Sequence, residues 1–241
     1  MSGINSPYAV LMQVKGGKII GNMKGDEKIY PASMTKMMTT LLAIEANPDL
    51  DTPVTLPEEI FPALQAQNAS LAGFQAGETA TVRDLLYGAM LPSGAECCEA
   101  LAREVSGSEE AFVARMNQKA AELGMTATHF CNPTGLHDPE HVSTVRDMAR
   151  LTEAALQNET FRKLFTTERY TVPATNCHPQ GFTMHSTLLS QLDGTELHRG
   201  RILGGKTGYT GEAGLCLASL AEVKGREYIL VTAGAGGNHN T

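Results

Sequence analysis

The sequence predicts an α/β protein in which one antiparallel sheet, built from both ends of the chain, carries an inserted helical block between its second and third strands. Three observations predict it. Strand-like runs gather near residues 8–22 and return beyond 168, the stretch between them repeats its apolar residues at helical spacing, and glycine-rich or charged turns separate the late strands. With 241 residues, 42% of them hydrophobic and 19% charged, the chain can bury a large core as one domain or two interleaved subdomains. The expected division gives a sheet part of about residues 1–50 and 166–241, and a helical part of about 51–165.

The elements follow in order. Tyr8–Val14 and Lys18–Asn22 read as a hairpin with Gly16-Gly17 in its turn. After Pro31, the residues Met34, Met37, Met38, Leu41, Leu42 and Ile44 take helical spacing, and Asn47-Pro48 ends that run. Thr81 caps a helix over Val82–Leu91, and Ser108 caps another over Glu109–Leu123 that Gly124 terminates. Beyond Ser143 the apolar positions Val145, Met148, Leu151, Ala155 and Leu156 predict a further helix, with Thr144 and Asp147 as a capping-box pair. Strands resume at Tyr170–Val172, followed by Leu203–Tyr209, Gly214–Ala221 and Tyr228–Ala233.

Composition excludes some functions. The formal charge of −7 and the lack of any Lys/Arg-rich run argue against nucleic-acid binding. No apolar stretch approaches the roughly 20 residues that span a bilayer, and no signal peptide or membrane anchor is visible in this sequence. The cysteines Cys97, Cys98, Cys131, Cys177 and Cys216 are odd in number and lack CxxC spacing, which suggests buried small hydrophobes rather than a disulfide framework or zinc ribbon.

The sharpest chemical signal is Pro31-Ala32-Ser33-Met34-Thr35-Lys36, which sets a serine at the mouth of a helix with a lysine three positions later. Residues i and i+3 share a helix face, and a lysine whose pKa is lowered by burial or a neighbouring cation can take the proton of a serine hydroxyl. The Ser33 N–H at a helix start is also placed to stabilise an oxyanion. In most proteins S-x-x-K is only a helix cap followed by a solvated lysine. Here Ser33 is the one serine with a lysine at that spacing, and an apolar helix follows at once.

Lys206-Thr207-Gly208 is the second signal, inside a strand rich in glycine. Glycine there suits the close approach of another backbone, as when a peptide lies along a sheet edge. Lys206 and Thr207 would meet a carboxylate, and the Tyr209 N–H could complete an oxyanion hole. Alone, the segment would read as an edge strand guarded by a lysine. The third signal, Leu91-Pro92-Ser93-Gly94-Ala95-Glu96, is a short helix connection whose Ser93 matters through its position in the chain.

Together these match the S-x-x-K, S-D-N-type and K-T-G set of penicillin-recognising serine enzymes, in the same chain order. From about Tyr8 to Ala233 the sequence resembles the low-molecular-mass penicillin-binding proteins that act as D-alanyl-D-alanine carboxypeptidases. The blocks PASMTK, LLYGAMLPSG, FCNPTGLHDPEHVSTVRDMARL and GGKTGYTGEAGLCL carry the likeness. The resemblance implies a transpeptidase/β-lactamase-like fold and a peptidoglycan stem peptide ending in D-Ala-D-Ala as substrate. It also implies acylation by β-lactams and an extracytoplasmic place in the cell envelope. Ser33, Lys36, Ser93 and Lys206 would be catalytic, and Thr207, Gly208 and Tyr209 would bind substrate, with no cofactor or metal.

The sequence departs from the family at two places. Ala95 stands where the middle motif usually has asparagine, with Glu96 next to it, and Glu96 is expected to point away from Lys36. The family also continues past its last strand into a helix, often with an arginine nearby that helps hold the substrate carboxylate, whereas this sequence ends at Thr241. Arg199 and Arg201 are the candidates for that contact. A β-lactamase-like hydrolase would need a deacylating base, and Glu153 in EAALQN is expected to be a solvated helix residue instead. His137 and His141 have the i, i+4 spacing of a zinc peptidase, but Pro139 opposes the helix that would align them. A homologue that binds penicillin or muropeptides without turnover is the non-enzymatic reading, prompted by Ala95.

Overall fold

In the computed structural model the chain is described over residues 3–197 and 199–237. The opening hairpin pairs β1 (Tyr8–Gln13) with β2 (Lys18–Met23), and Gly16 and Gly17 both take positive φ in its turn. A 3-10 turn, Ala32–Thr35, then leads into α1 (Lys36–Ala46), so the predicted helix starts with a tighter first turn that contains Ser33. Every residue of α1 from Lys36 to Ile44 is buried. It is therefore a central helix covered on all sides, which explains why its apolar residues fill more than one stripe.

The helical block follows: β3 (Pro53–Thr55), α2 (Ile60–Ala66), β4 (Thr79–Thr81), α3 (Val82–Met90), α4 (Ala95–Ser106) and α5 (Glu109–Glu122). β3 and β4 form a small ribbon of their own. Thr81 caps α3 in a full capping box with Asp84, and Ser108 caps α5. α6 (Val145–Ala155) and α7 (Glu159–Phe165) complete the helices. At α6 only half of the expected box forms. Thr144 Oγ1 accepts from the Asp147 N–H at 3.0 Å, while the Asp147 carboxylate turns instead to Ala127 N and Thr128 Oγ1.

β5 (Arg169–Val172) pairs with β6 (Phe182–His185) in a separate ribbon, so Tyr170–Val172 does not join the main sheet as its third strand. The Tyr170 hydroxyl is drawn instead to Asp84 of α3 at 2.7 Å, and its ring stacks on Tyr87. The main sheet is completed by β7 (Glu196–Leu197), β8 (Gly200–Thr210), β9 (Gly214–Val223) and β10 (Arg226–Ala235), in the order β2-β1-β10-β9-β8-β7 with antiparallel pairing throughout. α6 packs on β1 and β10, and α1 lies between that layer and α3–α5. β8 meets the 3-10 turn that holds Ser33. The core is continuous from Val10 and Val231 of the sheet to Phe112 and Leu101 of the helices, so sheet and helices share one apolar interior.

Candidate active site

Three chain segments far apart in sequence converge beside β8. Ser33 sits in the 3-10 turn, and Lys36 begins α1 one turn later. Lys36 Nζ lies 2.9 Å from Ser33 Oγ and 2.6 Å from the Thr134 carbonyl, with the side chain almost wholly buried. Burial pushes the Lys36 amine below its ordinary pKa, opposed by the fields of Cys98 and Glu96. A neutral amine in this position can donate one N–H to Thr134 O, which aims its lone pair toward the Ser33 hydroxyl. That is the geometry of a base beside its nucleophile.

The turn is held from below. Ala32 takes φ +47°, a strained value for a residue with a β-carbon, and a β-carbon on Gly135 would lie only 1.9 Å from the Ala32 carbonyl oxygen. Gly135 therefore lets the loop 132–136 press against the turn. Asn132 Oδ1 fastens that loop by accepting from Thr134 N, Thr134 Oγ1 and Gly135 N, and Thr39 of α1 donates to the Pro133 carbonyl at 2.6 Å. His141 adds a second tie. Its Nδ1 accepts from Cys131 N at 3.0 Å, which leaves the Nε2 hydrogen to bond Thr35 Oγ1 at 2.8 Å, and burial drives its pKa down to about 4.

Ser93 lies in the α3–α4 connection with φ +70° and accepts from Lys206 Nζ at 2.9 Å. Lys206 is fully buried in β8, bonded also to the Thr207 carbonyl at 2.9 Å. Burial pushes its pKa well below the usual range, and the charge of Lys36 adds to the effect. Lys206 thus lies beneath Ser93 and Thr207, and an anion approaching β8 would meet those two groups before the amine. Thr207 Oγ1 pairs with Thr187 Oγ1 at 2.6 Å, and Gly208 packs against Ser33. Gly204 and Gly205 are needed for packing, since β-carbons there would come within 2.0 Å of Phe165 O and 2.5 Å of Leu188 Cδ2.

Above Ser33 and Lys36 opens a cavity of 420 Å³ whose wall also includes Asn68, Ser70, Ala95, His137, Tyr209 and Glu212. Ala95 presents a methyl group where a polar side chain would have reached the site. Glu96 turns the other way: its Oε1 accepts from Ala72 N at 2.6 Å and Gly73 N at 3.1 Å. Its Oε2 is buried without a hydrogen-bond partner, and burial raises its pKa.

Some expectations move. Arg201 pairs across the sheet with Glu222 near the start of β8, six residues before Thr207, or roughly 20 Å of strand. Arg199 precedes the same strand, so neither arginine reaches the site. Glu153 of α6 approaches the hairpin turn at Gly17 and borders a different hollow, away from Ser33. Cys97, Cys98 and Cys216 are buried as expected, while Cys131 and Cys177 are partly exposed. Thr134, Asn132 and Thr187 are the residues that sequence reasoning left without a role. The Asn-Pro-Thr-Gly run at 132–135 was the available signal for the first two, as a side-chain-stapled turn. Nothing local marks Thr187.

Residues 2–237 match the model of a family described as D-alanyl-D-alanine carboxypeptidase. The chain is similar to the D-alanyl-D-alanine carboxypeptidase DacF of Bacillus subtilis, with 38% identity over 235 residues that cover 94% of this chain and 57% of that protein. It therefore spans little more than half the length of that relative. A D-alanyl-D-alanine carboxypeptidase of Streptomyces sp. K15 is 32% identical over 225 residues, covering 88% of this chain and 75% of the other. The crystal structure of the Streptomyces K15 DD-transpeptidase superposes with a TM-score of 0.88 at 30% identity, over 97% of this chain and 91% of that one.

Proposed function

We propose, from the premise that this chain belongs to the D-alanyl-D-alanine carboxypeptidase family, that it is a serine DD-carboxypeptidase that removes the terminal D-alanine from peptidoglycan stem peptides and is acylated by β-lactams. The observation that carries the reading is the contact between Lys36 Nζ and Ser33 Oγ at 2.9 Å, in a buried setting that favours the neutral amine.

In this reading Lys36 takes the Ser33 proton as Oγ attacks the carbonyl of the penultimate D-alanine. The Ser33 and Tyr209 N–H groups hold the oxyanion. The carbon–nitrogen bond then breaks, and the proton taken up by Lys36 passes by way of the Ser93 hydroxyl, which Lys206 Nζ orients, to the leaving amine of D-alanine, so that Lys36 is neutral again. Thr207, beside Thr187, receives the substrate carboxylate, in place of the arginines that lie too far off. Water finally attacks the ester, with Lys36 again accepting a proton, which frees Ser33 and the shortened peptide.

Glu212 is the single carboxylate among the described residues that line the cavity, and it lies in the turn after β8 with its side chain half exposed. That placement supports slow deacylation of β-lactams over a β-lactamase-like role. Substrate and inhibitor imply a site of action in the cell envelope, outside the cytoplasm. No described helix is long and apolar enough to cross a membrane.

The test combines D-alanine release from diacetyl-L-Lys-D-Ala-D-Ala with mass spectrometry of the penicillin adduct. Multiple turnovers and an adduct on Ser33 that disappears in Ser33→Ala are expected. Labelling without D-alanine release would make the protein a binding homologue, and an adduct on Ser93 would overturn the assignment of the nucleophile.

A further inference from the structure

The wall of the cavity above Ser33 is fastened from a distance. Gln67, Asn68, Ala69 and Ser70 line that cavity together with Ser33 and Lys36. The Ser70 carbonyl accepts from Ala95 N at 2.8 Å, which ties the segment 67–78 to the start of α4. Its far end is tied elsewhere. Glu78, immediately before β4, is fully buried, and its carboxylate accepts from Gln75 N at 2.8 Å, from Thr175 Oγ1 at 2.6 Å and from His178 Nδ1 at 2.8 Å. Thr175 and His178 belong to the connection between β5 and β6, so this carboxylate joins that ribbon to the cavity wall.

Two further contacts run the same way. Asn176 accepts from Thr79 N at 2.9 Å and donates to the Gly77 carbonyl at 3.0 Å, and Phe182 of β6 meets the buried Phe74 edge-on at 5.1 Å. A buried carboxylate is tolerated only while its donors are in place, since each lost donor leaves desolvated charge without a partner. The clasp therefore has one favoured arrangement, and it fixes where the segment 67–78 stands. Ser33 and Lys36 are held separately, from α1 and the Thr134 carbonyl. Loosening the clasp would shift the cavity wall without moving either of them.

We propose that His178 is a positioning residue for the carboxypeptidase reaction: by donating to Glu78 from the β5–β6 connection, it sets the wall that holds the substrate peptide in the cavity. The inference rests on the carboxypeptidase reading above. It extends the working site to a turn that contributes no residue to the described cavity lining. A looser wall weakens the hold on the substrate in the ground state and the transition state alike, so KM rises while kcat stays near its wild-type value.

The experiment measures kcat and KM for D-alanine release from diacetyl-L-Lys-D-Ala-D-Ala by the wild type, His178→Ala, His178→Asn, Thr175→Ala and Thr183→Ala, each normalised to the sites that benzylpenicillin labels. His178→Ala and Thr175→Ala each remove one donor from Glu78 and should raise KM by about three- to tenfold, the worth of roughly one hydrogen bond, with kcat within about twofold. His178→Asn puts an amide nitrogen in the place of Nδ1 and should bring KM back to within about twofold of the wild type. Thr183→Ala loses an exposed hydroxyl pair with Thr171 in the same ribbon but no contact of the clasp, so its KM should stay at the wild-type value. If His178→Ala does not label, Thr175→Ala decides. An unchanged KM in the clasp variants, an equal rise in Thr183→Ala, or no rescue by asparagine overturns the proposal while leaving the carboxypeptidase reading intact. No release of D-alanine by the wild type overturns that reading and this proposal together.

Discussion

A β-carbon added to Gly208 would lie 3.0 Å from the backbone nitrogen of Ser33. The missing side chain sets how closely β8 approaches Ser33, and the same imagined atom would also crowd Met34 N at 3.3 Å. Both neighbours are backbone and cannot swing aside.

Gly208→Ala should therefore part β8 from the Ser33 turn by a few tenths of an ångström or more. A displacement of about 1 Å in such a site costs on the order of 10²-fold in rate. Benzylpenicillin acylation should fall by roughly tenfold to a hundredfold with the melting temperature almost unmoved. Acylation at the wild-type rate would mean that the closeness of strand and turn has no catalytic part.

Lys36→Ala should lose about 10²–10⁴-fold in acylation, the usual worth of a positioned proton acceptor. Lys206→Ala, acting one group further out, should lose less. The pH profile carries the sign: Lys36 accepts a proton only when neutral, so the wild-type rate should rise with pH through the lowered pKa of that lysine and then level. Stopped-flow acylation across pH would show whether that limb disappears in Lys36→Ala, as it must if this amine is the base.

Glu96 holds two backbone N–H groups of the 72–73 segment. Glu96→Ala should leave both unpaired in the interior and destabilise the fold by about 1–3 kcal/mol. Glu96→Gln, which keeps an acceptor, should cost less and change acylation by under about tenfold. Urea melts paired with acylation rates test this, and a folded Glu96→Gln protein that acylates more than tenfold slower would give the carboxylate a catalytic part.

Ala95→Asn restores an amide to the wall of the cavity, able to accept from a lysine and donate to a substrate carbonyl. Acylation should rise or stay unchanged. A clear fall, measured with the same β-lactam, would show that this cavity has closed around the methyl group.

His141 ties the loop at Cys131 to Thr35 of the turn that holds Ser33, and burial drives its pKa from the ordinary 6.5 down to about 4. A depressed histidine contributes stability that is fully present above 6.5 and is lost as pH falls toward 4, because the unfolded chain binds the proton first. The shift corresponds to ~3 kcal/mol. Denaturant midpoints between pH 7 and 4 should fall more steeply for the wild type than for His141→Gln. Parallel slopes would mean that His141 is not held neutral by the fold.

The sequence by itself determined the elements whose signals are local. The Gly16-Gly17 turn, the Thr81 cap and the Ser108 cap each act within a few residues, and i, i+3 spacing at the start of an apolar helix pairs Ser33 with Lys36. Resemblance in motif order brought Ser93 and Lys206 to the same list. What only the tertiary structure decided depends on contacts between distant parts of the chain. Tyr170–Val172 has strand-forming residues, but its hydroxyl bond to Asp84 and its stacking on Tyr87 take it to a separate ribbon. Asp147 abandons the Thr144 N–H because Ala127 and Thr128 offer donors from another loop. The Thr134 carbonyl on Lys36 and the Thr187 hydroxyl on Thr207 have no local signature. Spacing along a chain records which side chains share a helix face or strand, whereas the distance between residues about 100 apart is set only when the core closes.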